Sequence, residues 1–338
     1  MTSKTKGDLK NLLDSFNEAT TYWLSNLTPS TTTTPSKISN PIDELTKLVK
    51  LIKAHTTKVG IIFKPANLKK DPGVAYNTLE KFSETVVLLT GLIQLFDVAE
   101  VSRIFYDAIF EGVRNLIVSV NKLSGELIVI FDEDDEEEVS DDGRLVGVGK
   151  VWSNCDDLVT LLLEGAVGLL SSKIKQSILL LDDGFEEFKE WAEDPQDVDD
   201  DPFGISDDDE DEEEGETKED KELVDNSEVS KFALKWVKKI QLIRLLISSF
   251  KKSIPKTTLG SLIDDINTIQ TKLVNLIDKF IMNLMLDMTI DDEIIKNTKE
   301  IALQALKLCK LGVMIHASNT TKAKWYETWM TKFIIDSE

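Results

Sequence analysis

Two histidines, His55 and His316, and two cysteines, Cys155 and Cys309, are the only imidazole and thiol groups in a chain of 338 residues. A structural zinc site draws on four such groups, usually as pairs a few residues apart, and these four offer no such pair. Cys309 and His316 stand at i, i+7 on one helix face, the spacing a Cys–His nucleophile would use. A cysteine within an apolar helix is ordinarily core, however. No phosphate-binding loop, dinucleotide fingerprint or nucleophile elbow appears, and the Glu-x-x-His pairs of di-metal bundles are absent. The residues therefore predict a protein that is not an enzyme and needs no metal or cofactor.

Carboxylates are the other chemistry on offer. The formal net charge is −22, but it is concentrated in two runs, residues 132–142 with 9 acids and 193–216 with 15. Outside these runs, 37 acids face 39 bases, so the remainder is close to neutral. The first run, from Asp132, superficially resembles a calcium loop. An EF-hand needs glycine at its sixth position and glutamate at its twelfth; here those positions hold Glu137 and Gly143. The second run cannot bury enough apolar surface to fold and is expected to be largely disordered. Within it lies one apolar island, Pro202, Phe203, Gly204 and Ile205, expected to dock either on its own bundle or on a partner. Ser206, followed by Asp207 to Glu210, is a candidate phosphorylation site for an acid-directed kinase.

A candidate basic face follows this run: Lys231, Lys235, Lys238, Lys239 and Arg244, with Phe232, Trp236, Ile240, Ile243 and Ile247 on the other side of the helix. Such a face is commonly just solvated; alternatively, the acidic run folds back over it. Residues 145–181 have a helix–loop–helix flavour, but the segment ahead of them is acidic where a DNA-binding member is cationic. It would repel phosphates. Direct nucleic-acid binding is not expected.

The elements that carry these residues are helical nearly throughout. Ile42, Leu45, Leu48, Val49 and Ile52 follow the three-to-four spacing of one buried face, behind an Asn40–Pro41 start signal. Further helices are predicted at about 6–27, 74–97 and 99–130, from about 144, then, past a stretch weakened by Gly165 and Gly168, on to 191, and at 228–253, 258–288, 291–317 and 322–336. Thr289 with Asp292 is the expected cap of the 291–317 helix. Only residues 126–131 lean toward a strand, and their context favours a helix end. The stripe Ile266, Ile269, Leu273, Leu276, Phe280, Leu284 suits antiparallel bundle packing. The fold class is all-α, antiparallel helical bundles interrupted by acidic inserts. The expected divisions are an N-terminal helix and Thr-rich linker (1–39), a first bundle (40–193), an acidic linker (194–227) and a second bundle (228–338), possessing its own core or sharing the first.

Several segments resemble the cyclin-D-binding protein family, the Grap- and cyclin-D-interacting or Maid-like proteins. They are "KVWSNCDDL" (150–158), "ILLLDDGFEEFKEW" (178–191), "DPFGI" (201–205) within acidic sequence, and the pattern of "SRIFYDAIFEGVRNLI" (102–117). The chain departs from that family in its Thr-rich linker and the insert at 132–142. The resemblance implies vinculin- or α-catenin-like bundles. It also implies a non-catalytic adaptor or regulator in nucleus and cytoplasm that binds cyclin or helix–loop–helix proteins. The alternative reading is an acidic histone-binding or chaperone-like protein. No membrane span is expected, since the longest apolar run, Val86 to Phe96, is too short.

Overall fold

The computed structural model describes residues 4–29, 40–132, 142–193, 195 and 226–335. Among the described residues every regular element is a helix. These are α1 (Lys6–Asn26), α2 (Pro41–Ile62), α3 (Pro65–Lys70), α4 (Pro72–Ile93), α5 (Val98–Val101), α6 (Arg103–Asp132), α7 (Asp142–Glu193), α8 (Asn226–Ser253), α9 (Gly260–Asp287), α10 (Asp292–Ile315) and α11 (Thr320–Ile335).

The helix starts follow from side chains that satisfy the free backbone N–H groups of a first turn. Thr5 and Asp8 form a reciprocal capping box on α1. Asn40 and Asp71 cap α2 and α4, each followed by proline at the first helical position. At α10 the cap is Asp291, whose carboxylate accepts from the Ile294 N–H at 2.7 Å, two residues beyond Thr289, the cap expected with Asp292. The helix predicted over 99–130 is two, separated by buried Ser102 at φ 89°.

The chain forms two compact units, 1–169 with 259–261, and 170–258 with 262–338. This division falls inside the expected 40–193 bundle, and α1 is part of the first unit rather than outside it. The change of course lies near Gly165, whose φ of 68° and ψ of −176° suit a residue without Cβ. The first part of α7 packs in the first unit and its second part, from Leu170, in the second.

In the first unit α1 runs antiparallel to α6, joined by Lys10–Asp132 at 2.9 Å and by Asn121 reaching Thr20 and Thr21. Alongside α6 lies the first part of α7, where Leu158 packs on Gly112 and Asn154 donates to the Asn115 carbonyl. That part also runs antiparallel to α2, through Lys53–Asp156 at 2.6 Å and Val148 against Gly60. A turn through α3 carries α2 back along α4, and α4 closes the ring on α1.

The second unit closes similarly. The second part of α7 lies antiparallel to α8, pinned by Ser171–Lys251, Asp182–Arg244 and Ala192–Ser230. On the other side of α8 comes α11, where Tyr326 Oη meets Ser249 at 2.9 Å and Ser253 at 3.0 Å and Trp329 donates to the Leu242 carbonyl. Next are α10, whose Cys309 thiol donates to the Tyr326 carbonyl, and α9, joined to α10 by Lys272–Glu300 and Lys279–Glu293. Phe280 of α9 completes the ring against Phe188 of α7, 5.8 Å between centroids.

Helices in a ring of five cannot all alternate in direction; one neighbouring pair must be parallel. In the first unit that pair is α1 and α4, with Lys4 over Tyr76 at one end and Gln94 donating to the Thr28 carbonyl at the other. In the second it is the second part of α7 and α9.

Candidate functional site

Each parallel seam carries a groove. The larger, about 500 Å³, lies between the second part of α7 and α9. The segment "ILLLDDGFEEFKEW" divides its residues among three directions. Leu181, Phe185, Phe188 and Ala192 face the core at helical spacing, and Asp182 turns to α8, where the Arg244 guanidinium grips both its oxygens. Leu180, Asp183, Gly184 and Glu187 face the groove. Opposite them stand Val274, Asn275, Asp278 and Ile281 of α9. The position of α9 is set by Phe280, which Phe188, Phe232 and Trp236 surround. Gly184 keeps the groove open, since it places no side chain opposite Asp278. The floor is thus apolar and the rim carries Asp183, Glu187 and Asp278, with no basic residue in the lining.

The smaller groove, about 360 Å³, lies between the C-terminal ends of α1 and α4. Its lining includes Tyr22, Trp23, Val87, Thr90 and Gly91, and none of its lining residues is charged. Beside it α4 exposes Val87 and Leu88 (60% exposed), and Leu95 is exposed just past the end of the helix.

The expected basic face is not one surface. Lys231, Lys235 and Lys238 are exposed on α8 and fall within about 60° of one another at 100° per residue. Lys239 is 6% exposed, its ammonium 4.7 Å from the Trp236 ring centroid and 5.8 Å from that of Phe333, where cation–π attraction replaces part of its hydration. Arg244 points about 140° from Lys231 and is held by Asp182. Pro202, Phe203, Gly204, Ile205 and Ser206 lie outside the described residues, as does nearly all of both acidic runs.

Both thiols are free and buried. Burial pushes both Cys155 and Cys309 up to about 12. Cys309 and His316 flank Tyr326: the thiol donates to its carbonyl, and the imidazole stacks on its ring at 5.7 Å. His316 is 2% exposed and its Nε2 lacks a partner among the described residues. Among those residues no group of three or more His, Cys, Asp or Glu is placed to hold a metal ion. No helix there is long and apolar enough to cross a membrane.

Residues 44–194 match the family model described as Grap2 and cyclin-D-interacting, N-terminal. An uncharacterized protein of Saccharomyces cerevisiae is 29% identical over 320 residues, 89% of this chain and 88% of the relative. An uncharacterized protein of Schizosaccharomyces pombe is 22% identical over 317 residues, 89% of this chain and 86% of the relative. The matched span contains the α7 wall of the larger groove.

Proposed function

Through residues 44–194 the chain belongs to the Grap2 and cyclin-D-interacting family, and from that premise we propose a non-catalytic adaptor that binds cell-cycle or transcription proteins of the cyclin or helix–loop–helix type. A helical protein-interaction role goes with the family domain; the choice of partner is the proposal. The observation that carries it is that the family-like segment 178–191 supplies one wall of a groove with an apolar floor and an acidic rim, the kind of surface in which partner helices lie. Raised thiol pKa values speak against cysteine catalysis. Net charge of −22 speaks against gripping DNA directly. The proposed sites of action are nucleus and cytoplasm, and Ser206 is proposed as a phosphorylation site whose effect would act through a binder.

The test is direct binding of the purified full-length chain to a D-type cyclin, to a helix–loop–helix domain and to duplex DNA. Saturable binding of either protein at physiological salt, with none to DNA, is expected; binding of DNA alone would overturn the reading. The acidic run at 197–216 favours one second reading, a basic client such as a histone. That association should be lost when residues 197–216 are deleted, whereas groove binding should persist.

A further inference from the structure

We infer that the groove between the second part of α7 and α9 receives a cationic amphipathic helix from a partner protein, an inference that rests on the proposed interaction role. The floor, Leu181, Val274 and Ile281, is apolar and offers a partner only dispersion and burial. Leu180, 69% exposed, forms one lip, and Met282, 51% exposed, continues the other along α9 one turn beyond Asp278. From Val274 to Ile281 the floor runs about 10 Å, close to two helical turns. A helix lying there presents apolar residues at i, i+4 and i+7 to the floor.

Charge selects among such helices. Asp182 and Glu186 are paired, with Arg244 and Lys189. Asp183, Glu187 and Asp278, which face the groove, have no ion-pair partner among the described residues. Asp183 and Glu187 stand at i, i+4, where like charges repel, and Asp278 faces them across the opening. Lysine or arginine on the flanks of an incoming helix relieves that repulsion. Their aliphatic stems lie along Leu180 and Met282 while their heads reach the carboxylates. The chain's own acidic run at 197–216 carries the wrong sign for this groove.

The test measures fluorescence anisotropy of labelled peptides of about four turns with the full-length protein. One peptide carries leucines in a single stripe with lysine flanks, a second has the same composition scrambled, and a third replaces lysine with glutamate. The striped lysine peptide should bind, and the other two should bind at least about tenfold more weakly. The triple variant Asp183→Asn, Glu187→Gln, Asp278→Asn should weaken the striped peptide at least about tenfold, and Gly184→Leu, which fills the groove, should do the same. Both should keep the wild-type circular dichroism spectrum. Equal binding of striped and scrambled peptides, or full affinity in both folded variants, would overturn the inference. A cyclin or helix–loop–helix protein that binds wild type and triple variant alike would overturn the groove's role and leave the interaction role standing. If the striped peptide meets every expectation while neither protein binds, the groove stands and the cell-cycle reading falls.

Discussion

In the first unit the parallel pair is α1 and α4, and the groove between them is lined by Tyr22, Trp23, Val87 and other uncharged residues. In the second the pair is α7 and α9, and three carboxylates rim an apolar floor. The same constraint, five helices around a core, leaves an opening in each. What an opening can receive is then decided by a few side chains, and the two have diverged in charge. The units also hold their helices together differently. In the first, small residues admit close approach along α7: Gly60 meets Val148, Gly112 meets Leu158, and Gly147 lies under the Glu126 carboxylate. In the second, large rings act as hubs, Phe280 for α7, α8 and α9, and Tyr326 for α8, α10 and α11.

That contrast breaks most directly at Tyr326. Its side chain is fully buried and its ring lies against Gly312, so Tyr326→Ala should cost about 3–5 kcal/mol through cavity formation and two abandoned serine hydroxyls. Hydrogen exchange should show lost protection in α8, α10 and α11, with α1, α2 and α4 retained. An equal loss in both units would erase the distinction between hubs. The mirror experiment is Gly112→Val. Its new methyl groups meet Leu158, and overpacking should cost about 1–3 kcal/mol, read as lost protection in α6 and the first part of α7.

Gly165→Ala tests the change of course itself. Nothing lies within 4 Å of the position a Cβ would take, so the cost is conformational alone, about 1–3 kcal/mol. Denaturant melts should show it. An unchanged midpoint would mean that φ 68° is not needed there.

Much of this was legible in the sequence where local chemistry decides. Asn40–Pro41 and the apolar faces of α2 and α9 announce themselves because caps and three-to-four spacing act within a turn. Residues 126–131, though β-leaning in composition, end α6 as their context suggested. The acidic runs, conspicuous in composition, drew the expected bundle boundary to residue 193. The units part after Leu169, close to the weak points at Gly165 and Gly168, but no shift in composition marks a boundary there. Arg244 could have been separated from Lys231 on a helical wheel, but its capture by Asp182, 62 residues away, could not. Nor could the groove, which exists only because α7 and α9 are neighbours. Its one local trace was a glycine, Gly184, inside a strongly patterned helix.

The smallest expected effect sharpens the comparison through pH, since each unit contains one histidine. Burial lowers both below the ordinary 6.5, His55 with Lys58 and Lys81 nearby and His316 with Lys322 nearby. A depressed imidazole pKa means that the unfolded chain binds the proton more readily than the folded one. The resulting stability is fully present above about 6.5 and declines as pH falls toward the folded value. Near-complete burial and an unpartnered Nε2 make His316 the stronger contributor. His316→Phe keeps a ring against Tyr326 and removes the titration. It should flatten the pH dependence of protection in α10 and α11 between pH 5 and 7, while the shallower dependence around His55 in α2 persists; an unchanged slope in α10 and α11 would show that His316 does not set it.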